Sequence, residues 1–226
     1  MASSMVEFPA DGRTATGYLS LPASGHGPGV LVIQEYWGLV DHIKQVADRF
    51  AAAGFAALAP DLYRGESASG PDDAGRRLME LDIPDASRQL GGAAAYLLAH
   101  ASVTPKKVAA VGFCMGGKLA LHAAGEYPES ICAVVDFYGV HPKAEPRLDR
   151  LSGPVQTHFA EHDDYIPVAQ AHDLVARLRA AGVEVEDHLY DAQHAFFNDH
   201  RPEVYDAAAA KLAWDRTLAF LRKALA

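Results

Sequence analysis

Short apolar runs of strand length alternate with longer amphipathic stretches along nearly the whole chain, and this alternation restricts the fold more than any other feature. Residues 29–34, 55–59, 107–113, 131–137, 155–159 and 183–189 read as buried or half-buried strands. Helices are expected over 43–53, capped by Asp41 and stopped by Gly54, then over 84–100, 116–126, 168–181 and 203–224. Strands that alternate with crossover helices pair in parallel, because a right-handed crossover returns the chain to the same edge direction. Residues 6–8 and 14–21, on either side of Asp11-Gly12, read as an antiparallel hairpin with a somewhat longer loop at one edge. The expectation is an α/β fold: a mostly parallel, doubly wound sheet of about eight strands. The polar stretch 63–83 carries Gly65, Gly70, Pro71 and Gly75, and reads as a surface excursion with one short helix rather than a large lid domain.

Composition supports one domain over residues 1–226. At 50% hydrophobic and 22% charged residues, the chain can bury a single large core without staples. Its formal net charge of −9 argues against a nucleic-acid partner, since phosphate binding needs clustered Lys and Arg. The N-terminal stretch, residues 1–7, has neither a basic start nor an apolar core, and no run approaches the ~18 apolar residues of a membrane span. Two cysteines, Cys114 and Cys132, cannot form a disulfide framework. A cytoplasmic protein with no membrane partner is therefore expected.

Gly112-Phe113-Cys114-Met115-Gly116-Gly117 lies where a strand turns into a helix, in the pattern G-x-nucleophile-x-G with cysteine in the reactive position. The glycines two positions before and after Cys114 let strand and helix approach closely. The Met115 N–H, at the helix N-terminus, would face the oxygen of a carbonyl attacked by Cys114. The plain alternative is a buried cysteine packed as a small hydrophobe. A thiol nucleophile also needs a base and an orienting carboxylate, and both follow in chain order. Asp163, chosen over Asp164, lies beyond the 155–159 strand, and His194 lies beyond the last strand. Gln34-Glu35-Tyr36-Trp37-Gly38 follows the 29–34 strand, so the Tyr36 N–H is a second oxyanion donor. Glu35 is unusual at a buried strand end. Either it pairs with an arginine such as Arg64, or it meets the thiol and keeps Cys114 protonated until substrate arrives.

With these residues in view, the chain resembles the dienelactone hydrolase family of α/β-hydrolases over nearly its full length. The resemblance rests on Gln34 to Gly38, on Ala59-Pro60-Asp61-Leu62-Tyr63, on the segment around Cys114, on Asp163 with Ile166-Pro167, and on His194-Ala195-Phe196. It implies a Cys114–Asp163–His194 triad, with Glu35 taking part in thiol activation. It also implies hydrolysis of a small-molecule ester or lactone through a thioester acyl-enzyme. Lactone-hydrolysing members hold a substrate carboxylate with two arginines, one of them four residues after the catalytic histidine. Here that position is Asn198, which cannot form a charged fork. The other arginine belongs to the excursion, where Arg76 and Arg77 are candidates, with Arg64 or Arg201 as substitutes. Tyr36, Trp37, Phe113 and Phe196 suggest an apolar pocket, core packing being the alternative for each.

Rival readings are a broad-specificity carboxylesterase or thioesterase on the same triad, a redox-sensing thiol at Cys114, a binding module, and a zinc site of His158, His162, Asp163 and His194. The ordered triad favours catalysis without metal or cofactor, in a monomer or small homo-oligomer.

Overall fold

The computed structural model describes residues 2–226; Met1, which opens the N-terminal stretch read above, lies outside the described residues. Eight strands form one sheet: β1 (Ala2–Ala10), β2 (Arg13–Leu21), β3 (Gly27–Ile33), β4 (Ala56–Pro60), β5 (Val103–Phe113), β6 (Ala133–Phe137), β7 (Val155–His162) and β8 (Val185–Gln193). Their order across the sheet is β1-β2-β4-β3-β5-β6-β7-β8. Pairing is antiparallel for β1 with β2 and β2 with β4, and parallel from β4 through β8. The helices are α1 (Asp41–Ala52), α2 (Pro71–Glu80), α3 (Ile83–Ala99), α4 (Met115–Glu126), α5 (Val168–Ala180) and α6 (Ala207–Ala224). α1 meets α6 through Phe50 and Trp214, whose rings lie 4.6 Å apart, while α3 packs beside α4. The central strands β3, β4 and β6 are buried along most or all of their length, as strands covered on both faces must be.

The expected α/β-hydrolase architecture is present, and the differences are local. The first hairpin has a two-residue turn rather than a longer loop. Ala10 pairs with Arg13, and Asp11 and Gly12 both take positive φ, the geometry whose twist matches that of the flanking strands. Val40, not Asp41, is the N-cap of α1, so Asp41 lies in the first turn, where its charge still suits the helix dipole. The last helix starts at Ala207 rather than near 203, capped by Asp206, whose side chain accepts from the Ala209 N–H. β7 and β8 run on to His162 and Gln193, past the polar residues that read as loop. In β8 the buried positions are Tyr190 and Ala192, with exposed neighbours between them, because this edge strand covers the core with one face only.

Candidate active site

The sheet order reverses at β3, which has β4 on one side and β5 on the other. Such a switch point leaves a crevice at the C-terminal strand ends, since the connections depart in opposite directions. Register then decides which side chains enter it. Ile33 pairs with Gly112, so Glu35 and Cys114, two residues beyond each, face one another across the crevice. His162 pairs with Gln193, so Asp163 and His194 are the next residues along these two strands.

Cys114 occupies the turn between β5 and α4 with φ 52° and ψ −119°, a strained conformation for a non-glycine residue. Hydrogen bonds from Cys114 N to Phe137 O (2.9 Å) and from Val140 N to Cys114 O (3.1 Å) lock this turn onto the chain following β6. The flanking glycines leave room for it. A Cβ at Gly112 would overlap the Gly116 carbonyl, and one at Gly116 would overlap the Ile33 and Gln34 carbonyls. The Met115 N–H opens α4 and so lacks an intrahelical acceptor.

His194 Nδ1 and Asp163 Oδ2 are 2.8 Å apart, in a pair almost fully withdrawn from solvent. Asp163 Oδ1 accepts from the Tyr165 and Ile166 N–H groups at 2.8 and 2.9 Å, which sets the carboxylate plane. The His194 ring lies between Tyr138 (5.0 Å) and Tyr165 (4.8 Å), and its Nε2 is buried without a hydrogen-bond partner. Burial alone would lower the imidazole pKa, but Asp163 and Cys114 outweigh it and push it up to about 10. The ring is therefore a cation near neutral pH, with its free N–H beside the thiol.

Glu35 is buried, and its Oε2 accepts from Asn198 Nδ2 at 2.6 Å. Arg64 is engaged elsewhere, with Asp85 at 2.7 Å, so the Arg64 ion pair, one of the two alternatives for Glu35, does not form. A cavity of about 250 Å³ opens above these groups, lined by Glu35, Tyr36, Trp37, Gly75, Leu78, Met79, Cys114, Val140, Pro142, Tyr165, His194, Ala195 and Arg201.

Cys114, Asp163, His194, Glu35, Tyr36, Met115 and Trp37 thus gather at one place, whereas other expected residues do not. Arg76 is held by Asp73 and Glu80, and Arg77 by Glu66 and Asp73, on the outer side of α2 and away from the cavity wall. Phe113 and Phe196 are core residues: Phe113 stacks on Phe137 and Phe197, and Phe196 packs on Tyr138 and Tyr190. Asn198 is bonded to Glu35 rather than open to a substrate. The four residues of the zinc reading do not converge. His158 is buried against Tyr190, Gln156 and Thr217, and His162 pairs with Asp191. Cys132 lies away from the cavity, its Sγ bonded to the Val108 carbonyl.

Sequence reasoning missed three contributors. α2 supplies the apolar wall through Leu78 and Met79, and is tied across the cavity mouth by His141 Nε2 to the Leu78 carbonyl at 3.1 Å. Tyr138 and Tyr165 hold the His194 ring, and only the position of Tyr165, two residues after Asp163, could have hinted at this.

A family model for the dienelactone hydrolase family matches residues 15–225. The chain belongs to the dienelactone hydrolase family. Among curated proteins it is 38% identical to "Protein usf" of Aquifex pyrophilus, covering 98% of both chains. It is 32% identical to the carboxymethylenebutenolidase of Pseudomonas sp. (strain P51), covering 91% of this chain and 89% of that one. Among solved structures, a dienelactone hydrolase-like promiscuous phosphotriesterase from metagenomic libraries superposes with a TM-score of 0.89 at 24% identity, over 100% and 99% of the two chains, a likeness of fold. As a dienelactone hydrolase family member, the protein is a hydrolase of carboxylic esters or lactones. No helix among the described residues is long and apolar enough to cross a membrane.

Proposed function

We propose that the protein hydrolyses small esters or lactones through a thioester on Cys114, with His194 and Asp163 completing the triad. The observation that carries this reading is the strained Cys114 turn on the floor of the cavity, beside an Asp163-bonded His194 whose Nε2 is free. Glu35 takes the thiol proton, leaving a thiolate next to the His194 cation. The thiolate attacks the carbonyl carbon, and the developing oxyanion is met by the Tyr36 and Met115 N–H groups. Collapse expels the alkoxide, which takes the proton from His194 Nε2. Neutral His194 then removes a proton from water as it attacks the thioester, and the carboxylic acid departs. The thiolate finally recovers its proton from Glu35.

The lining favours apolar acyl or aryl groups, with Arg201 as its one arginine. Arg201, which pairs with Glu203 at 2.8 Å, is the arginine that a substrate carboxylate would meet, because it alone of Arg64, Arg76, Arg77 and Arg201 lines the cavity. The same reading takes residues 1–226 as one catalytic domain, since one continuous core runs from Phe8 to Leu225. It also takes a monomer or small homo-oligomer in the cytoplasm, where a working thiol stays reduced; both cysteines are free. Cys114→Ala is expected to abolish hydrolysis of p-nitrophenyl acetate while leaving the circular dichroism spectrum unchanged. Turnover at the wild-type rate would overturn the assignment of the nucleophile.

A further inference from the structure

Outside the reacting groups, the first turn of α1 meets the loop between β8 and α6 in a cluster of metal-ligating side chains. His42 comes from α1, and Asp199 and His200 come from the loop. Each offers one ligand atom, and the three atoms all lie within 4.8 Å of one another. None of the three residues lines the cavity. His42 Nδ1 and Asp199 Oδ1 are already 3.1 Å apart. Two ligands held about 2.1 Å from zinc at the tetrahedral angle are separated by about 3.4 Å, so this pair stands close to one edge of a coordination tetrahedron. The wider spread of the full set is closed by turning His200, which is exposed.

His42 is the fixed member of the set. It is buried, and the edge of its ring meets Phe113 at 6.5 Å between centroids. Its Nδ1 has Asp199 as partner, and its Nε2 has none. His158, by contrast, is bonded through both ring nitrogens and has neither to spare for an ion. Asp199 and His200 are the adjustable members, exposed where a hydrated ion can reach them. His200 is nevertheless oriented: Asn198 Oδ1 accepts from its backbone N–H at 3.1 Å, and Gln45 Oε1, on α1, lies 2.9 Å from its Nε2. Outer partners of this kind hold the rings of metal-binding histidines in place. Glu161, His162 and Asp191 form a second cluster, but all three are exposed and burial fixes none of them.

Two imidazoles and one carboxylate suit a borderline divalent ion such as zinc rather than calcium or magnesium, which take oxygen ligands. The carboxylate makes the ligand set negative, and the charge of Glu35 also reaches the His42 ring. Arg49, which feels Asp199, acts against this from its place over the Phe197 and Trp214 rings. We propose that His42, Asp199 and His200 form a binding site for one zinc-type divalent ion, with water in the fourth position, which staples α1 to the loop between β8 and α6. The site lends no group to the proposed hydrolysis and stands whether or not Cys114 is the nucleophile. Its effect is structural. Asn198, next to Asp199, donates to Glu35, so the bound ion fixes the loop that anchors this glutamate.

The test uses the full chain carrying Cys114→Ala, which removes a competing thiolate, with zinc alone as the probe in isothermal titration calorimetry and thermal unfolding. One equivalent is expected to bind and to raise the melting temperature, since an ion that binds the folded state stabilises it by mass action. Asp199→Ala and His200→Ala, both at exposed positions that spare the core, are each expected to weaken that binding by at least about tenfold and to remove the thermal shift. Gln45→Ala, which releases the His200 ring, is expected to weaken it by about tenfold. His162→Ala, in the second cluster, should leave the binding unchanged. Absence of zinc binding would overturn the proposal, as would binding that Asp199→Ala and His200→Ala both leave intact, or a thermal shift that His162→Ala abolishes.

Discussion

His194, the base of the proposed triad, is held as a cation by its neighbours, and on that reading activity is tied to stability. His194 has a folded pKa of about 10 against an ordinary 6.5, raised chiefly by Asp163 and Cys114 against the opposing effect of burial. A group whose pKa rises on folding binds more protons in the folded state. Its stabilisation is complete below pH 6.5 and is lost as pH climbs through 10. Urea unfolding at pH 6.5, 8 and 9.5 is therefore expected to show falling stability, by up to about 1.4 kcal/mol per pH unit from this one proton. Asp163→Asn, which removes the main partner, is expected to flatten that slope and to cut ester turnover by at least about a hundredfold. A slope unchanged in the variant would show that Asp163 does not hold the proton on His194. At this scale the sequence was legible for Cys114, Asp163 and His194, whose motif positions follow chain order. It was not legible for Asn198, whose amide is spent on Glu35 through a contact 163 residues away in the chain.

The tip of β3 and the start of α4 form one unit, because the Gly116 Cα sits against the Ile33 and Gln34 carbonyls. That contact places the Tyr36 and Met115 N–H groups on either side of one crevice. Gly116→Ala inserts a methyl group into backbone rather than into a flexible side chain. It is expected to cost about 1–3 kcal/mol of stability. It should also reduce kcat far more than KM, because in the proposed mechanism the displaced donors serve the oxyanion rather than the bound ester. Thermal unfolding and steady-state kinetics on one preparation separate the two effects, and a variant with wild-type kcat would mean that the oxyanion donors lie elsewhere. The strands and helices themselves were readable from period and breakers. The ends of β7 and β8 were not, because the alternating exposed residues of an edge strand look the same in sequence as a polar loop. α2 was read as part of an excursion, since its five charged residues hide the Leu78 and Met79 side that faces the cavity.

Across the whole molecule, four histidines other than His194 are pushed below their ordinary pKa, each chiefly by burial: His42, His141, His158 and His188. His158 is the extreme case, fully buried and bonded on both ring nitrogens. A histidine with a lowered folded pKa contributes stability that is present above about 6.5 and is lost as pH falls, since the unfolded chain then binds protons that the folded one refuses. Together with His194 this predicts a dome of stability, falling below pH 6.5 for these four residues and falling again on the alkaline side. Circular dichroism melts from pH 4.5 to 9.5 would reveal it, and a stability that stays flat between pH 6.5 and 5 would contradict it. By itself, the sequence determined the layered α/β architecture, the glycine-flanked turn at Cys114 and the chain order of Cys114, Asp163 and His194 at the strand ends, because periodicity and steric permission are local properties. Only the tertiary structure decided which charges meet. It sent Arg76 and Arg77 outward, buried Phe113 and Phe196 in the core, tied Asn198 to Glu35 and paired His42 with Asp199. Those outcomes depend on strand register and on loops that approach from distant parts of the chain, which no single stretch of sequence encodes.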